Sequence, residues 1–237
     1  MSQFEDLLVV QEHDTAADQL RHRRSNLPEL AELAETESAV AALAPRLAAV
    51  TAGRDEVARR QRRHEDELAA LEAKIAAVEA RMYSGAVTIP RELQAMQAEV
   101  ESMKRRQSTL EDDVLEAMTE REPLDEEVAS LSAARDAHDQ SAGKLRVVIV
   151  EAQAAIDGEV AEQAAARARA AAIVPADLLA LYEQLRSRLG GVGAARLAGP
   201  RCTGCHLTLP ATEVDRIKRE PPDALIRCDQ CSRILVR

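Results

Sequence analysis

Two stripes of apolar residues, each repeating at spacings of three and four, run through residues 40–156. This period is typical of helices that pack along a coiled-coil seam. The first stripe has ten apolar members among its thirteen positions: Val40, Leu43, Leu47, Val50, Arg54, Val57, Gln61, His64, Leu68, Leu71, Ile75, Val78 and Met82. The second has fifteen among nineteen: Leu93, Met96, Val100, Met103, Gln107, Leu110, Val114, Ala117, Arg121, Leu124, Val128, Leu131, Arg135, His138, Ala142, Leu145, Ile149, Ala152 and Ile156. We therefore predict that the chain reverses between the stripes and forms a long antiparallel helical hairpin.

The residues needed for that reversal lie between the two stripes. Gly85 can take the positive φ that ends the first helix. Pro90 suits the first turn of the next helix, and Glu92 is favourably placed near its N-terminus. We expect the hairpin to span residues 1–173, with its tip at about residues 83–91.

Three prolines lie inside the predicted arms. Proline removes a backbone N–H and clashes with the preceding turn, so Pro28, Pro45 and Pro123 are expected to interrupt their helices. In an antiparallel hairpin Pro45 lies near the level of Pro123, which predicts a bend in both arms there.

A short connecting helix is predicted within residues 174–191. Pro175 opens it and Gly190-Gly191 ends it. One face of this helix is apolar and consists of Leu178, Tyr182, Leu185 and Leu189. We expect it to fold back onto the hairpin at Val147–Val150, where the apolar surface is wider than one seam. The alternative is a homodimer contact through the same surface.

Four cysteines, the only ones in the chain, form two C-x2-C pairs: Cys202, Cys205, Cys228 and Cys231. Paired C-x2-C units are typical of a structural tetrahedral zinc site, so we predict one structural Zn²⁺. Four thiolates fill the metal's coordination shell, which argues against a catalytic zinc. His206, next to Cys205, is the competing ligand, and we expect it to pack or hydrogen-bond instead. Redox chemistry of the pairs is a weaker alternative, since no thioredoxin-like βαβ pattern accompanies them.

Residues 192–237 are too few to bury a sufficient core, so the metal is expected to stabilise them. Strand-like segments flank both cysteine pairs, as in a zinc ribbon: Ala194–Leu197, Leu207–Leu209, Ala224–Arg227 and Ile234–Val236. A helical insert is predicted at about Thr212–Arg219, ended by Pro221-Pro222. We expect Gly204 to take a positive φ that turns backbone N–H groups toward the sulfurs. The predicted fold class is therefore mainly α, a long antiparallel coiled-coil hairpin with a small C-terminal β zinc ribbon.

Composition limits the environment and the partners. The net charge of −10 argues against a protein that coats nucleic acid and against binding to an anionic membrane surface. No apolar run approaches the roughly 20 residues of a membrane span, and Met1–Asp6 lacks a basic start and an apolar core. Closely spaced thiols without a secretion signal favour a reducing compartment, so we expect a cytoplasmic location.

The tip, the two C-x2-C segments (the knuckles, at Cys202–Cys205 and Cys228–Cys231) and the architecture together resemble a bacterial family of coiled-coil-hairpin proteins with a C-terminal zinc ribbon. The matching segments are Met82-Tyr-Ser-Gly85, Pro90-Arg-Glu-Leu-Gln-Ala-Met96, Leu110-Glu-Asp112, Cys202-Thr-Gly-Cys-His206 and Cys228-Asp-Gln-Cys-Ser-Arg-Ile-Leu235. The resemblance implies a non-enzymatic adaptor or regulator. Some relatives are linked to flagellar or type III secretion regulation, through an alternative sigma factor and transcript binding. The family often has glycine after the fourth cysteine, where this chain has Ser232, so slight strain is expected there.

Three groups of residues are candidate functional surfaces. The tip is a candidate protein-binding patch with apolar, aromatic and polar members: Tyr83, Val87, Ile89, Arg91 and Gln94. The ribbon has candidate phosphate-binding residues: Arg216, Lys218, Arg219, Arg227 and Arg233. Polar residues within the seams are expected to fix the register of the helices: Arg54, Gln61, His64, Gln107, Arg121, Arg135 and His138.

Two functional hypotheses follow. The first is an interaction protein that presents its tip and zinc ribbon to a protein partner in transcription or secretion regulation. The second is an RNA- or DNA-binding zinc ribbon that uses the coiled coil as a spacer. The ribbon lacks aromatic residues, which removes base stacking as a means of holding single strands. We find no catalytic constellation and expect neither an enzyme nor a small-molecule substrate.

Overall fold

The computed structural model describes residues 3–237, which form five helices and three short strands. In chain order the elements are α1 (Gln3–Ser25), α2 (Pro28–Tyr83), α3 (Pro90–Ala171), α4 (Ala176–Arg188), β1 (Ala194–Ala198), β2 (Arg201–Cys202), α5 (Ala211–Arg219) and β3 (Ile234–Val236). The chain divides into a hairpin unit, residues 33–144, and a ribbon unit, residues up to 32 together with 145–237. The predicted fold class, a long helical hairpin with a small C-terminal β region, is confirmed.

The turn between α2 and α3 has the predicted chemistry. Gly85 has φ +78°, in the left-handed region that glycine adopts without strain. The Ile89 carbonyl accepts the N–H groups of Glu92 at 3.1 Å and Leu93 at 3.2 Å. Pro90 is the first residue of α3. It suits this position because the N–H of the first helical residue has no acceptor within the helix, so nothing is lost by its absence.

Within the hairpin unit α2 and α3 run antiparallel. Hydrogen bonds between them include those from Arg46 to Glu127 at 2.7 Å, from Arg121 to Gln61 at 2.9 Å and from Lys104 to Glu79 at 2.7 Å. The residue numbers of the partners in α3 therefore decrease as those in α2 increase, as they do in an antiparallel pair. The buried residues of both helices all belong to the predicted stripes: Val57, Gln61, Ile75, Val100, Leu110, Ala117, Leu131, Ala142, Ile149 and Ile156.

The prolines behave differently from one another. Pro28 follows the end of α1 and is the first residue of α2, so the predicted interruption occurs there. Pro45 and Pro123 lie inside continuous helices, and the interruptions predicted at these two positions are wrong. The loss of one backbone hydrogen bond is a local penalty of about 3 kcal/mol, whereas seam packing acts along the whole helix. The bend itself stays a prediction.

The ribbon unit has an apolar core between α1, α4 and two strands. This helical core contains Phe4, Leu7, Leu8, Val10, Val174, Leu178, Tyr182, Leu185, Ala194, Ile234 and Val236. Tyr182 is fully buried. The face predicted for α4 is confirmed, and Gly190 and Gly191, with φ +71° and +91°, follow its end.

The prediction that α4 packs onto Val147–Val150 is wrong. Val147, Val148 and Val150 are 57%, 45% and 64% exposed, and only Ile149 of that run is buried. The helical period turns Ile149 into the seam and its neighbours away from it, so those valines would be buried only if another helix covered them. α4 packs instead against α1, whose Phe4, Leu7 and Leu8 lie in the same core. The alternative, a homodimer contact through the exposed valines, stays a prediction.

A buried polar network joins α1, α3 and α4. The Asp14 carboxylate accepts hydrogen bonds from the Tyr182 hydroxyl at 2.7 Å and from Arg167 Nε at 3.0 Å. Arg186 lies 3.5 Å from the same carboxylate and donates to Asp18 at 2.5 Å. Asp14 is 7% exposed, so these partners replace the water that its charge has lost.

Among residues 3–237, the helices lack the combination of length and apolar character that crossing a membrane demands.

The Tyr182–Asp14 hydrogen bond should contribute measurably to stability. Tyr182→Phe removes the hydroxyl and leaves the buried carboxylate with one donor fewer, so we expect a loss of about 1–2 kcal/mol. Urea unfolding at fixed zinc concentration measures it. Tyr83→Phe is the matched control, because Tyr83 is 85% exposed. Equal unfolding free energies for Tyr182→Phe and the parent would contradict the assignment.

The same contact predicts a pH dependence. The pKa of the Tyr182 hydroxyl lies above its ordinary value of 10.0, because burial removes water from the phenolate and because the hydroxyl donates to Asp14. Tyrosine in the unfolded chain ionises near pH 10, whereas Tyr182 in the folded chain stays neutral. The stabilisation is therefore complete below that pH and lost above it, at about 1.4 kcal/mol per pH unit. In Tyr182→Phe this component of the alkaline slope should disappear.

Candidate metal centre

The four cysteines converge in the ribbon unit. Their sulfur atoms all lie within 4.8 Å of one another. Two of the distances across the cluster, Cys202 to Cys231 and Cys205 to Cys228, are 4.0 Å. Zn–S bonds of about 2.3 Å in a tetrahedron place the sulfurs roughly 3.8 Å apart. The cluster therefore fits one tetrahedral zinc ion.

The two knuckles have the same backbone conformation. In the first, the His206 N–H donates to the Cys202 carbonyl at 2.9 Å, and the Cys202 N–H donates to the Leu207 carbonyl at 3.1 Å. In the second, the equivalent distances are 2.7 Å from Ser232 to Cys228 and 3.0 Å from Cys228 to Arg233.

Each knuckle ends in a left-handed residue. The φ angles are +63° at His206 and +61° at Ser232, where a side chain carries modest strain. The left-handed conformation expected at Ser232 is therefore present. The His206 side chain is exposed and is not part of the group of four sulfurs.

Gly204 is required for space and not for its φ angle. The positive φ expected at Gly204 is wrong, because the left-handed positions are His206 and Ser232. A Cβ atom at Gly204 would lie 2.6 Å from Arg233 Cδ and 2.9 Å from Ala195 Cβ. The first knuckle thus approaches β1 and Arg233 more closely than any side chain allows.

A second small core surrounds the sulfurs. This zinc core contains Ala195, Cys202, Leu209, Val214, Ile217, Ile226, Cys228 and Leu235. The strands predicted at residues 194–197 and 234–236 are confirmed, and α5 matches the predicted insert. The segments around Thr208 and Arg227 form only isolated bridges, to Arg201 and Ile234. β1 pairs antiparallel with β2 and parallel with β3.

Burial and backbone hydrogen bonds act in opposite directions on the pKa values of the free thiols. Burial raises the pKa of Cys202, and it raises the pKa of Cys228 to about 12. Burial acts in the same direction on Cys231, but hydrogen bonds with Arg233, Cys228 and Cys205 together outweigh it and lower the pKa of Cys231 to about 7. Zinc binds thiolates, so it must displace protons from the buried cysteines, and its affinity should weaken as the pH falls.

The predicted phosphate-binding residues do not share one environment. Arg216 pairs with Glu213 and lies 3.7 Å from Asp229. Arg233 donates to the carbonyl oxygens of Leu189 at 2.8 Å and Val192 at 2.9 Å. The three other predicted residues are exposed: Lys218, Arg219 and Arg227.

The predicted tip residues lie within and beside the turn at residues 84–89. Tyr83, the last residue of α2, is 85% exposed, and Ile89 is 53% exposed. Arg91 and Gln94 lie exposed in the first turns of α3, and Val87 is half-buried.

Sequence reasoning missed the residues that hold the ribbon against α1. Gln11 is 6% exposed, and its Nε2 donates to the Gly191 carbonyl at 3.0 Å. Its Oε1 accepts the N–H groups of Gly193 at 2.7 Å and Ala194 at 3.3 Å. The available signal was a polar residue, followed three positions later by Asp14, on the apolar face of α1.

Removal of one ligand should abolish tight zinc binding. We expect the parent to hold one zinc ion per chain and Cys228→Ser to lose more than the 10–100-fold in affinity typical of outer-shell changes. Elemental analysis and chelator competition measure this. Ser232→Gly is the matched control, because glycine tolerates the φ of +61° and leaves all four ligands in place. Full zinc retention by Cys228→Ser would contradict the assignment.

Comparison with known proteins agrees with this geometry. Residues 10–190 match the CT398-like coiled coil hairpin domain, and residues 201–235 match the C4-type zinc ribbon domain. Uncharacterized proteins from two strains of Mycobacterium tuberculosis, MT2288 and Rv2229c, are each 30% identical over 237 residues. These matches cover 100% of this chain and 96% of each relative.

Solved structures share the fold. A structure from Mycobacterium smegmatis is 27% identical, with a TM-score of 0.87 over 99% of this chain and 97% of that one. CT398 from Chlamydia trachomatis is 19% identical, with a TM-score of 0.66 and the same coverage, a likeness of fold alone. The chain therefore belongs to the CT398-like coiled-coil hairpin family and carries a C4-type zinc ribbon for one structural zinc ion.

Proposed function

We propose that this protein is a non-catalytic adaptor or regulator that presents its hairpin tip and its zinc ribbon to a protein partner. The observation that carries the proposal is the exposure of Tyr83 and Ile89, 85% and 53%, beside the turn. A turn needs only small or polar residues to connect two helices. Large apolar side chains held in water at that point favour a surface that a partner covers.

The chemistry of the tip suits protein recognition. Tyrosine and arginine are enriched among residues that dominate binding energy, and the tip has Tyr83 and Arg91. The Ser84 hydroxyl donates to the Arg81 carbonyl at 2.8 Å and accepts the Ala86 N–H at 3.3 Å. These bonds fix the start of the turn, which reduces the entropy lost when a partner binds.

In this proposal the zinc ion has a structural role and not a catalytic one. Four thiolates complete a tetrahedral shell, and a substrate or water would need to displace one of them. We place the protein in the cytoplasm, where thiols stay reduced and available to zinc. The family resemblance supports a partner in transcription or secretion regulation.

A second candidate function is the binding of RNA or DNA by the ribbon. The exposed cations Lys218, Arg219 and Arg227 favour it, since such groups contact phosphates. Arg216 and Arg233 are less suited, because each already has a partner within the ribbon unit.

Changing the tip should weaken partner binding. We expect Tyr83→Ala/Ile89→Ala to reduce affinity at least about tenfold, since central aromatic residues commonly contribute over 1 kcal/mol each. Photo-crosslinking from position 83 in cells identifies the partner, and binding to that purified partner gives the affinity. Leu115→Ala/Met118→Ala is the matched control, because these residues are 60% and 48% exposed elsewhere on the hairpin unit. Equal affinity of the tip variant and the parent would reject the tip as the binding surface.

The nucleic-acid hypothesis makes a separate prediction. Binding through phosphates should fall steeply as salt rises, and Lys218→Glu/Arg219→Glu should abolish it. Fluorescence anisotropy with labelled RNA and DNA measures both effects. Arg62→Glu/Arg63→Glu makes the same charge change on the hairpin unit and should leave binding unchanged. The absence of binding by the parent at low salt would eliminate this function.

A further inference from the structure

The parallel strand pair β1–β3 belongs to both cores of the ribbon unit. Ala194 pairs with Ile234 and Ala195 pairs with Leu235. Because successive side chains in a strand point to opposite faces, Ala194 and Ile234 lie in the helical core while Ala195 and Leu235 lie in the zinc core. One face of this strand pair therefore contributes to the zinc core, and the other face contributes to the helical core that includes α1.

Arg233 forms a second connection between the metal centre and the helices. Its Cδ lies over Gly204 in the first knuckle, where a Cβ would be 2.6 Å away. Its guanidinium donates to the carbonyl oxygens of Leu189 and Val192, at the end of α4 and just beyond it. Helix ends leave such carbonyls without helical partners, and arginine satisfies them here. One side chain thus spans both knuckles and the end of α4.

α1 also contacts the segment between α4 and β1, residues 189–194. Gln11 binds the Gly191 carbonyl and the N–H groups of Gly193 and Ala194. The conformation of residues 189–194 therefore depends on two side chains. One is Arg233, which follows the second knuckle, and the other is Gln11, which lies on α1.

The zinc core is too small to keep this arrangement without its metal. Two of its eight buried residues are cysteines, Cys202 and Cys228. Small metal-binding modules obtain most of their folding free energy from the ion. When zinc leaves, β1 and β3 lose one of their two supporting cores, and the helical core loses the support of Ala194, Ile234 and Val236.

We infer that zinc occupancy controls the order of α1 and α4, through the β1–β3 pair and through Arg233, so that metal loss exposes the apolar face of α1. The ribbon then stabilises the packing of α1 and α4 only while zinc is bound. An independent ribbon would instead unfold alone and leave α1 and α4 packed together.

Hydrogen exchange on the full chain separates these two cases. After chelation, we expect amides of residues 4–14 and 178–189 to lose at least about tenfold in protection, as expected for a segment that opens with its support. Amides of residues 40–140 should stay unchanged, because their seam lies in the hairpin unit. Loss of protection confined to residues 192–237 would overturn the inference.

Arg233→Ala tests the side-chain connection while all four ligands remain. With zinc bound, we expect amides at the end of α4 and in residues 190–194 to lose several-fold protection. Arg227→Ala is the matched control, an exposed arginine directly before Cys228. Unchanged protection in zinc-loaded Arg233→Ala would remove Arg233 from the mechanism.

Gln11→Ala tests the coupling from the opposite direction, and it does not disturb the knuckles. If zinc stabilises the docking of α1, then docking of α1 must stabilise zinc by the same factor, typically about 5-fold or more. Chelator competition should therefore show weaker zinc affinity for Gln11→Ala than for the parent. Gln19→Ala, at an exposed position on the same helix, is the control. Equal zinc affinity for Gln11→Ala and the parent would contradict the coupling.

Discussion

Coordination of one zinc ion by four thiolates supplies free energy that residues 192–237 cannot obtain from apolar burial. The zinc core has eight buried residues, including two ligands, whereas a structural zinc ion contributes about 10–16 kcal/mol in small modules. The metal fixes both knuckles, and the knuckles fix the β1–β3 pair. That pair in turn completes the helical core beside Tyr182. Few large side chains are then needed in residues 192–237, which agrees with their lack of Phe, Tyr and Trp.

Polar groups determine which residues meet along the helices. A seam of leucine, valine and alanine tolerates shifts of register, because most of its contacts are interchangeable. The hydrogen bond between Gln61 and Arg121 specifies one alignment of α2 and α3. In the ribbon unit, Asp14 accepts hydrogen bonds from both Tyr182 and Arg167 and so specifies the arrangement of three helices. The burial of a charge makes any other arrangement costly.

The features predicted correctly depend on short spacings. The seams, the turn at Gly85, the extent of α4 and the cysteine cluster all follow from patterns within a few residues. The errors concern features that distant contacts decide. Continuity of α2 through Pro45 depends on packing along the helix, and the need for glycine at position 204 depends on Arg233. The exposure of Val147 could not be predicted from hydrophobicity alone, since it depends on where α4 docks.

The sequence by itself determined that this protein forms a long helical hairpin and gathers four cysteines around a metal, because helical period and knuckle spacing are local properties of the chain. Only the tertiary structure decided that the ribbon packs on α1. That contact includes the hydrogen bond between Gln11 and Gly193, which are 182 residues apart. No local pattern encodes such a pairing. It follows from the docking of α1, α4 and the β1–β3 pair around one apolar core, which leaves the Gly193 N–H buried and in need of a partner.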